Sequence, residues 1–226
     1  MWILGIETAT WTASVGVTRD GHPVAERTQH SESSHAPTIL LLIDDALRAA
    51  GIAVADLGAI AVSTGPGSFT GLRIGLSTAK GLAYACKTPI VAVPTLTALA
   101  RAAGPREGPV CPVLDARKGE VYAACFRWCD GRLEQTAAER TIAPAQLARL
   151  VTPPCTLIGD AVDVYGEVLR RLFGARATLL SVTQVAPSGV VVAQLGHELL
   201  ACGGDSALAA LEPHYVRASE AELKAG

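Results

Sequence analysis

WILGIETATWTASVGV, residues 2–17, holds two runs of β-branched and small apolar residues on either side of the short stretch Thr8, Ala9, Thr10, Trp11. The runs favour extended chain and the stretch between them favours a turn. WILGIE (2–7) and TASVGV (12–17) are therefore predicted strands, and PVAERTQ (23–29), reached through the turn RDGH, completes a three-stranded meander. The pattern returns in the second half. VCPVLDA (110–116) ends in an acid, turns tightly through Arg117 and Lys118, and comes back as GEVYAACFR (119–127), followed by RLEQTAA (132–138). In both places an apolar strand ends in a carboxylate, Glu7 or Asp115, before a turn and an alternating strand. No letter-by-letter repeat accompanies this, but the recurrence predicts two related lobes, 1–103 and 104–226.

The segments between the strands read as helices. SSHAPTILLLIDDALRAAG (33–51) has serines to cap it, Pro37 for a first turn and Gly51 to end it. GAIAVST (58–64) and IVAV (90–93) are short buried strands on either side of a helix over 69–86. APAQLARLV (143–151), DVYGEVLRRLFG (163–174) and GVVVAQLGHELLACGG (189–204) have helical periodicity, and the tail SEAELKAG is predicted to fray. Meanders plus helices in each half predict an α/β architecture with mixed sheets.

Composition narrows the function classes. Half of the 226 residues are apolar and the mean hydropathy is +0.33, yet no run is long and uncharged enough to suggest a membrane span. MWILGIE lacks the basic start and small-residue cleavage site of a signal peptide, so the cytoplasm is expected. Six scattered cysteines without a CxxC pattern read as reduced thiols rather than disulfides or a zinc site. With 19 basic against 21 acidic residues, the net charge of −2 provides no general attraction for nucleic acid.

GPGSFTGLR (65–73) lies between a strand and a helix, where phosphate loops are common. It fits neither standard phosphate pattern. No Gly-Lys follows the first glycines, and the third glycine of a dinucleotide fingerprint should fall at Thr70 but arrives at Gly71. In the helix after it, Phe69, Leu72, Leu76, Ala79, Ala83 and Cys86 form a core-facing stripe, and Gly71, Gly75, Thr78, Gly81 and Ala85 form a small-residue stripe. Arg73 and Lys80 share a third side. Glycine inside a helix costs about 1 kcal/mol relative to alanine, so three of them imply close approach of another backbone. That backbone belongs either to this chain or to a partner. The five consecutive apolar residues Ile39, Leu40, Leu41, Leu42 and Ile43 surround more than one helix face and favour a partner.

Catalytic equipment is sparse. His22, His30, His35, His197 and His214 have no metal-ligand spacing, and Ser68 has no nucleophile-elbow context. Glu7 either caps the turn amides of residues 8–10 or occupies the place of a metal- or phosphate-associated carboxylate. Asp115, with Arg117 and Lys118, is its counterpart or one half of a surface ion pair.

STGPGSFTGLRIGLSTAKGLA (63–83), together with ILGIETATWTASVGV, VLDARKGEVYAA and EPHYVR, resembles the bacterial TsaB (YeaZ) family over residues 3–217. The resemblance implies a two-lobed actin-like (ASKHA, RNase H-like) fold with a reduced second lobe. It also implies a non-catalytic subunit that supports TsaD in forming threonylcarbamoyladenosine next to the anticodon of tRNAs reading codons that begin with A. TsaE is implied as an ATPase partner, a homodimer as the state of the chain alone, and tRNA contact only through the complex. TsaD relatives carry an H-x-E-G-H-type metal motif where this chain reads PTLTALA (94–100), so no cofactor of its own is expected.

Family complexes pair through the first two helices, which implies a partner interface of Ile39, Leu42, Ile43, Ala46, Gly71, Leu72, Gly75, Thr78, Ala79 and Leu82. Gly65, Pro66, Gly67 and Ser68 set the strand-to-helix turn, and Arg73 or Lys80 would contact a nucleotide at the TsaD junction. The alternative is an ATP-dependent phosphotransferase of the actin-like class.

Overall fold

Strand alternation decides which helix each side chain of the first sheet meets. In the computed structural model, which describes residues 1–30, 38–185, 187–204, 208, 210–214 and 216, β1 (Trp2–Glu7), β2 (Thr12–Arg19) and β3 (His22–His30) form the expected antiparallel meander. Asp20 and Gly21 both have positive φ (51° and 78°), the backbone that a two-residue hairpin with the native twist requires. After α1 (Ile39–Ala50), β4 (Leu57–Gly65) pairs parallel to β1. After α2 (Phe69–Cys86), β5 (Ile90–Pro94) pairs parallel to β4, giving the order β3-β2-β1-β4-β5. Gly51 ends α1 at φ 70°, as expected, while the serines and Pro37 read as its start lie outside the described residues.

Leu4 and Ile6 of β1, with Ile60 and Val62 of β4, face α1 and α2. Ile3, Ala59 and Ala61 face the other way, against Val192, Ala193 and Leu195 of α5 (Gly189–Ala201). This last helix, read from sequence as part of the second lobe, belongs to the first unit, which comprises Met1–Ala98 and Pro187–Pro213. The second unit is Leu99–Ala186 with the chain from His214. The reason is steric. A Cβ on Gly16 would lie 2.1 Å from the Val190 amide nitrogen, and one on Gly5 2.0 Å from the Gly189 carbonyl, so α5 lies closer to the sheet than side chains would permit.

The start of α5 is tied to the meander as well. Ser188 Oγ accepts from the Val191 amide at 3.1 Å and donates to Glu26 Oε1 at 2.7 Å, and the Gly189 amide donates to Ser14 Oγ at 2.9 Å. Substituting Ser188 by alanine removes this cap and is expected to cost about 1 kcal/mol, read as a lower urea midpoint at unchanged slope.

In the second unit, β6 (Val110–Arg117), β7 (Glu120–Cys129) and β8 (Arg132–Ile142) repeat the meander. β9 (Cys155–Ile158) and β10 (Ala177–Leu180) add parallel strands, in the order β10-β9-β6-β7-β8. This is the order of the first sheet, strand for strand. Residues 143–151, expected as a helix, hold only a 3-10 turn, Pro144–Arg149, with Pro144 and Leu147 buried. α3 (Thr95–Ala102) precedes β6, and α4 (Ala161–Phe173) packs Val162, Leu169 and Phe173 onto Cys111, Val113 and Leu157. All six cysteines are free. Cys111, Cys125 and Cys155 are buried, and burial pushes the Cys155 thiol up to about 11, where it is unreactive.

Candidate partner-docking face and the first-strand turn

The GPGSFTGLR loop is packed against its own chain. The Ser68 amide donates to the Ala9 carbonyl at 2.7 Å, which seats the β1–β2 turn on the start of α2. Ser68 caps that helix, its hydroxyl accepting from the Gly71 amide at 3.2 Å. Gly65, Pro66, Gly67 and Ser68 thus form the strand-to-helix turn, and the Gly65 amide donates to Thr95 Oγ1 at 3.1 Å. Thr95 lies within PTLTALA, and as a buried threonine at the start of α3 (Thr95–Ala102) it braces the loop.

Two of the three glycines of the α2 stripe, Gly71 and Gly75, are explained by the same turn, while Gly81 has open space around it. A Cβ on Gly71 would lie 2.0 Å from the Thr8 carbonyl oxygen, and one on Gly75 2.2 Å from Thr8 Oγ1. Thr8 is fully buried and donates its hydroxyl to the Gly71 carbonyl at 2.8 Å. The close approach read from the glycines is therefore made by this chain's own β1–β2 turn. Gly71 and Gly75 face Thr8 of that turn.

The other residues expected at an interface divide by helical phase. Ile39, Leu42, Ile43, Ala46 and Ala79 lie in the first unit's core and Leu72 is buried with them, because the three-and-four spacing that made them a stripe is the spacing of the side facing the sheet. Thr78 and Leu82 are half-buried. What stays outside is Leu40 and Leu41, 59% and 64% exposed, Phe69 at 39% and Tyr84 at 76%. The signal for them was present in the sequence. At about 100° per residue, Leu40 and Leu41 fall opposite the core stripe of α1, and Tyr84 falls in line with Arg73 on α2.

Arg73 is exposed and its guanidinium lies 3.9 Å from the centre of the Phe69 ring, while Lys80 is half-buried. Both helices cover the same side of the sheet. α1 follows β3 and α2 follows β4, and both strands are parallel to β1, so the helices run side by side from the end of the sheet where Glu7 lies.

Glu7 is buried, and both carboxyl oxygens are engaged. Oε1 accepts from the Ala9 amide at 2.6 Å, and the Ser63 hydroxyl donates to Oε2. The turn-capping reading of this residue matches these bonds. Burial pushes the carboxyl up to about 7, against the lowering effect of the Ser63 hydroxyl and the Ala9 and Thr8 amides.

In the second unit Asp115 is also tied down. Its Oδ1 accepts from the Arg117 amide at 2.9 Å and the Tyr165 hydroxyl at 3.1 Å, and Oδ2 pairs with the Arg117 guanidinium at 3.1 Å. Asp160 Oδ1 accepts from the Asp115 amide at 2.8 Å, and burial raises the Asp160 carboxyl to about 6. Among the described residues no three His, Cys, Asp or Glu side chains come together as metal ligands, and no helix is long and apolar enough to cross a membrane.

Two mixed sheets of identical strand order, each carrying helices, are the architecture of the actin-like ATPase fold. The (R)-2-hydroxyglutaryl-CoA dehydratase component A of Acidaminococcus fermentans shares it at a TM-score of 0.54 and 12% identity, over 89% of this chain and 99% of that one, a likeness of fold alone. YeaZ from Pseudomonas aeruginosa superposes at a TM-score of 0.79 with 27% identity, over 95% of this chain and 99% of that one. The tRNA threonylcarbamoyladenosine biosynthesis protein TsaB of Bacillus subtilis (strain 168) is 30% identical over 227 residues, 99% of this chain and 97% of that protein. The family model described as TsaD: tRNA N6-adenosine threonylcarbamoyltransferase matches residues 26–223. The chain belongs to this family and, within it, to the TsaB (YeaZ) proteins.

Proposed function

We propose that the chain is an accessory subunit in the formation of threonylcarbamoyladenosine in tRNA. It docks onto a TsaD-type transferase, with a TsaE-type ATPase as third component, in the cytoplasm. The observation that carries this reading is the full-length kinship with the Bacillus subtilis TsaB protein.

Two features of the site support it. Leu40, Leu41, Phe69 and Tyr84 put apolar surface on the outer side of two neighbouring helices, a surface suited to burial against another polypeptide. Glu7, which stands where an actin-like phosphotransferase would use a carboxylate, has both oxygens committed to its own turn and to Ser63, and burial favours its neutral form. Chemistry in the complex then falls to the transferase. Arg73 and Lys80 lie on the outer half of α2, where they could meet a nucleotide held at the junction, and the same face would pair two copies when the transferase is absent.

The test is a double substitution, Leu40→Asp with Leu41→Asp, assayed by co-purification with TsaD and TsaE. Both side chains are more than half exposed, so the melting temperature should move little. Affinity for TsaD should fall at least a hundredfold, about 2.7 kcal/mol, because charge replaces apolar surface at the centre of the contact. Capture of TsaD at undiminished affinity by the folded double variant would overturn the reading.

A further inference from the structure

Among the described residues Glu7 is the one acidic or basic residue buried as a whole, and it sits where three pieces of chain meet. It ends β1, reaches Ser63 of β4, and accepts from the Ala9 amide of the turn. That turn in turn holds α2. The Ala9 carbonyl accepts from the Ser68 amide, and Thr8 donates to the Gly71 carbonyl. One carboxyl group is thus joined, through two hydrogen-bonded residues, to the helix start that presents Phe69 and Arg73.

Among the described residues no cation pairs with it. The charged or titratable residues on the elements around it are Arg19 of β2, Arg73, Lys80, Tyr84 and Cys86 of α2, His197 and Glu198 of α5, and His22, Glu26, Arg27 and His30 of β3, of which His30 lies at the same end of the sheet, its Nδ1 3.3 Å from Thr12 Oγ1. The part of α3 in this unit has none. Arg19 lies over Trp2 at the opposite end of the sheet, Arg73 lies on Phe69 at the surface, and Glu26 is bound by Ser14, Ser188 and the Val190 amide. None of these contributes to the ionisation of Glu7, which is set by burial against its hydrogen bonds alone.

We propose that Glu7 is a proton-operated latch on the start of α2: with the carboxyl protonated, the turn at residues 8–11 holds the helix start closed, and with it ionised that corner opens more readily. The sign follows from linkage. A carboxyl held above its ordinary value in the closed form and relaxing to about 4.5 when exposed favours closure most at low pH. Closure weakens as pH rises from about 4.5 to about 7 and levels off above, so the response falls across the neutral range.

Amide hydrogen exchange at Ser68 and Gly71, corrected for the intrinsic rate, tests this between pH 5.5 and 8.5. Protection in the unaltered chain should fall about thirtyfold across that range, while in Glu7→Gln, which cannot ionise, it should stay level. Constant protection in the unaltered chain, or the same fall in Glu7→Gln, would overturn the proposal. Because glutamine places an amide where Ser63 and Ala9 meet a carboxyl, two further measurements decide the matter should that variant not fold. Ser63→Ala removes a bond that favours the ionised form, so the midpoint of the fall should move to higher pH; a midpoint unmoved or lowered counts against the latch. The carboxyl carbon of Glu7, followed by NMR, should titrate near neutrality, and a midpoint near 4.5 would end the proposal.

Discussion

Gly16→Val is expected to abolish the folded first unit, with the variant recovered as insoluble or unfolded chain. The added Cβ would meet the Val190 nitrogen at 2.1 Å, the Gly189 carbonyl carbon at 2.4 Å and the Val190 Cα at 2.5 Å. All three are backbone atoms of a helix start already fixed by Ser14 and Glu26, so none can swing aside as a side-chain end would. α5 would have to lift from the sheet, uncovering Ile3, Ala59, Ala61, Val91 and Val93. A cost of about 4 kcal/mol or more is expected, against a total stability of about 5–15 kcal/mol for ordinary domains. Far-UV circular dichroism and urea titration of the soluble fraction check it. A soluble variant within about 1 kcal/mol of the parent would show that α5 is not held at this distance.

Gly71→Ala should be the next most damaging change, and Gly81→Ala on the same helix should go the other way. Alanine is intrinsically better than glycine in a helix by about 1 kcal/mol, so propensity predicts that both stabilise. At Gly71 the new methyl would lie 2.0 Å from the Thr8 carbonyl oxygen, whose turn is pinned by the bonds from Ser68 and Thr8. Displacing the turn strains buried hydrogen bonds, and a net loss of about 3 kcal/mol is expected. At Gly81 nothing lies within 4 Å, so the gain of about 0.5–1 kcal/mol should appear in full. Thermal melting of the two variants side by side separates the effects by sign. Equal shifts would mean that the turn yields to the methyl group at little cost.

This pair also shows how far residue spacing carries. The glycines of α2 announced a close approach, and it is there at Gly71 and Gly75 but not at Gly81. Spacing along a helix reports which residues share a side, but not which backbone comes to that side, and the β1–β2 turn lies more than sixty residues earlier in the chain. The assumption that a partner supplied it misplaced Gly71 and Gly75, and the core stripe of α1 was assigned outward for the same reason. In α1 the run Ile39–Ile43 was read as surrounding more than one face, and the structure divides it into Ile39, Leu42 and Ile43 inside and Leu40 and Leu41 outside.

Local chemistry was enough to specify the two meanders, the hairpin at Asp20–Gly21, the end of α1 at Gly51 and the recurrence of the meander in both halves, because each rests on interactions among residues close along the chain. β9 and β10, four residues each, are too short for a period to register, and their place in the second sheet comes from pairing with β6 and with each other. The return of α5 to the first sheet depends on Gly5 and Gly16 meeting Gly189 and Val190 after a long excursion of the chain. Burial of two surfaces so distant in sequence leaves no local trace in either one, and so it was decided by packing in the folded molecule.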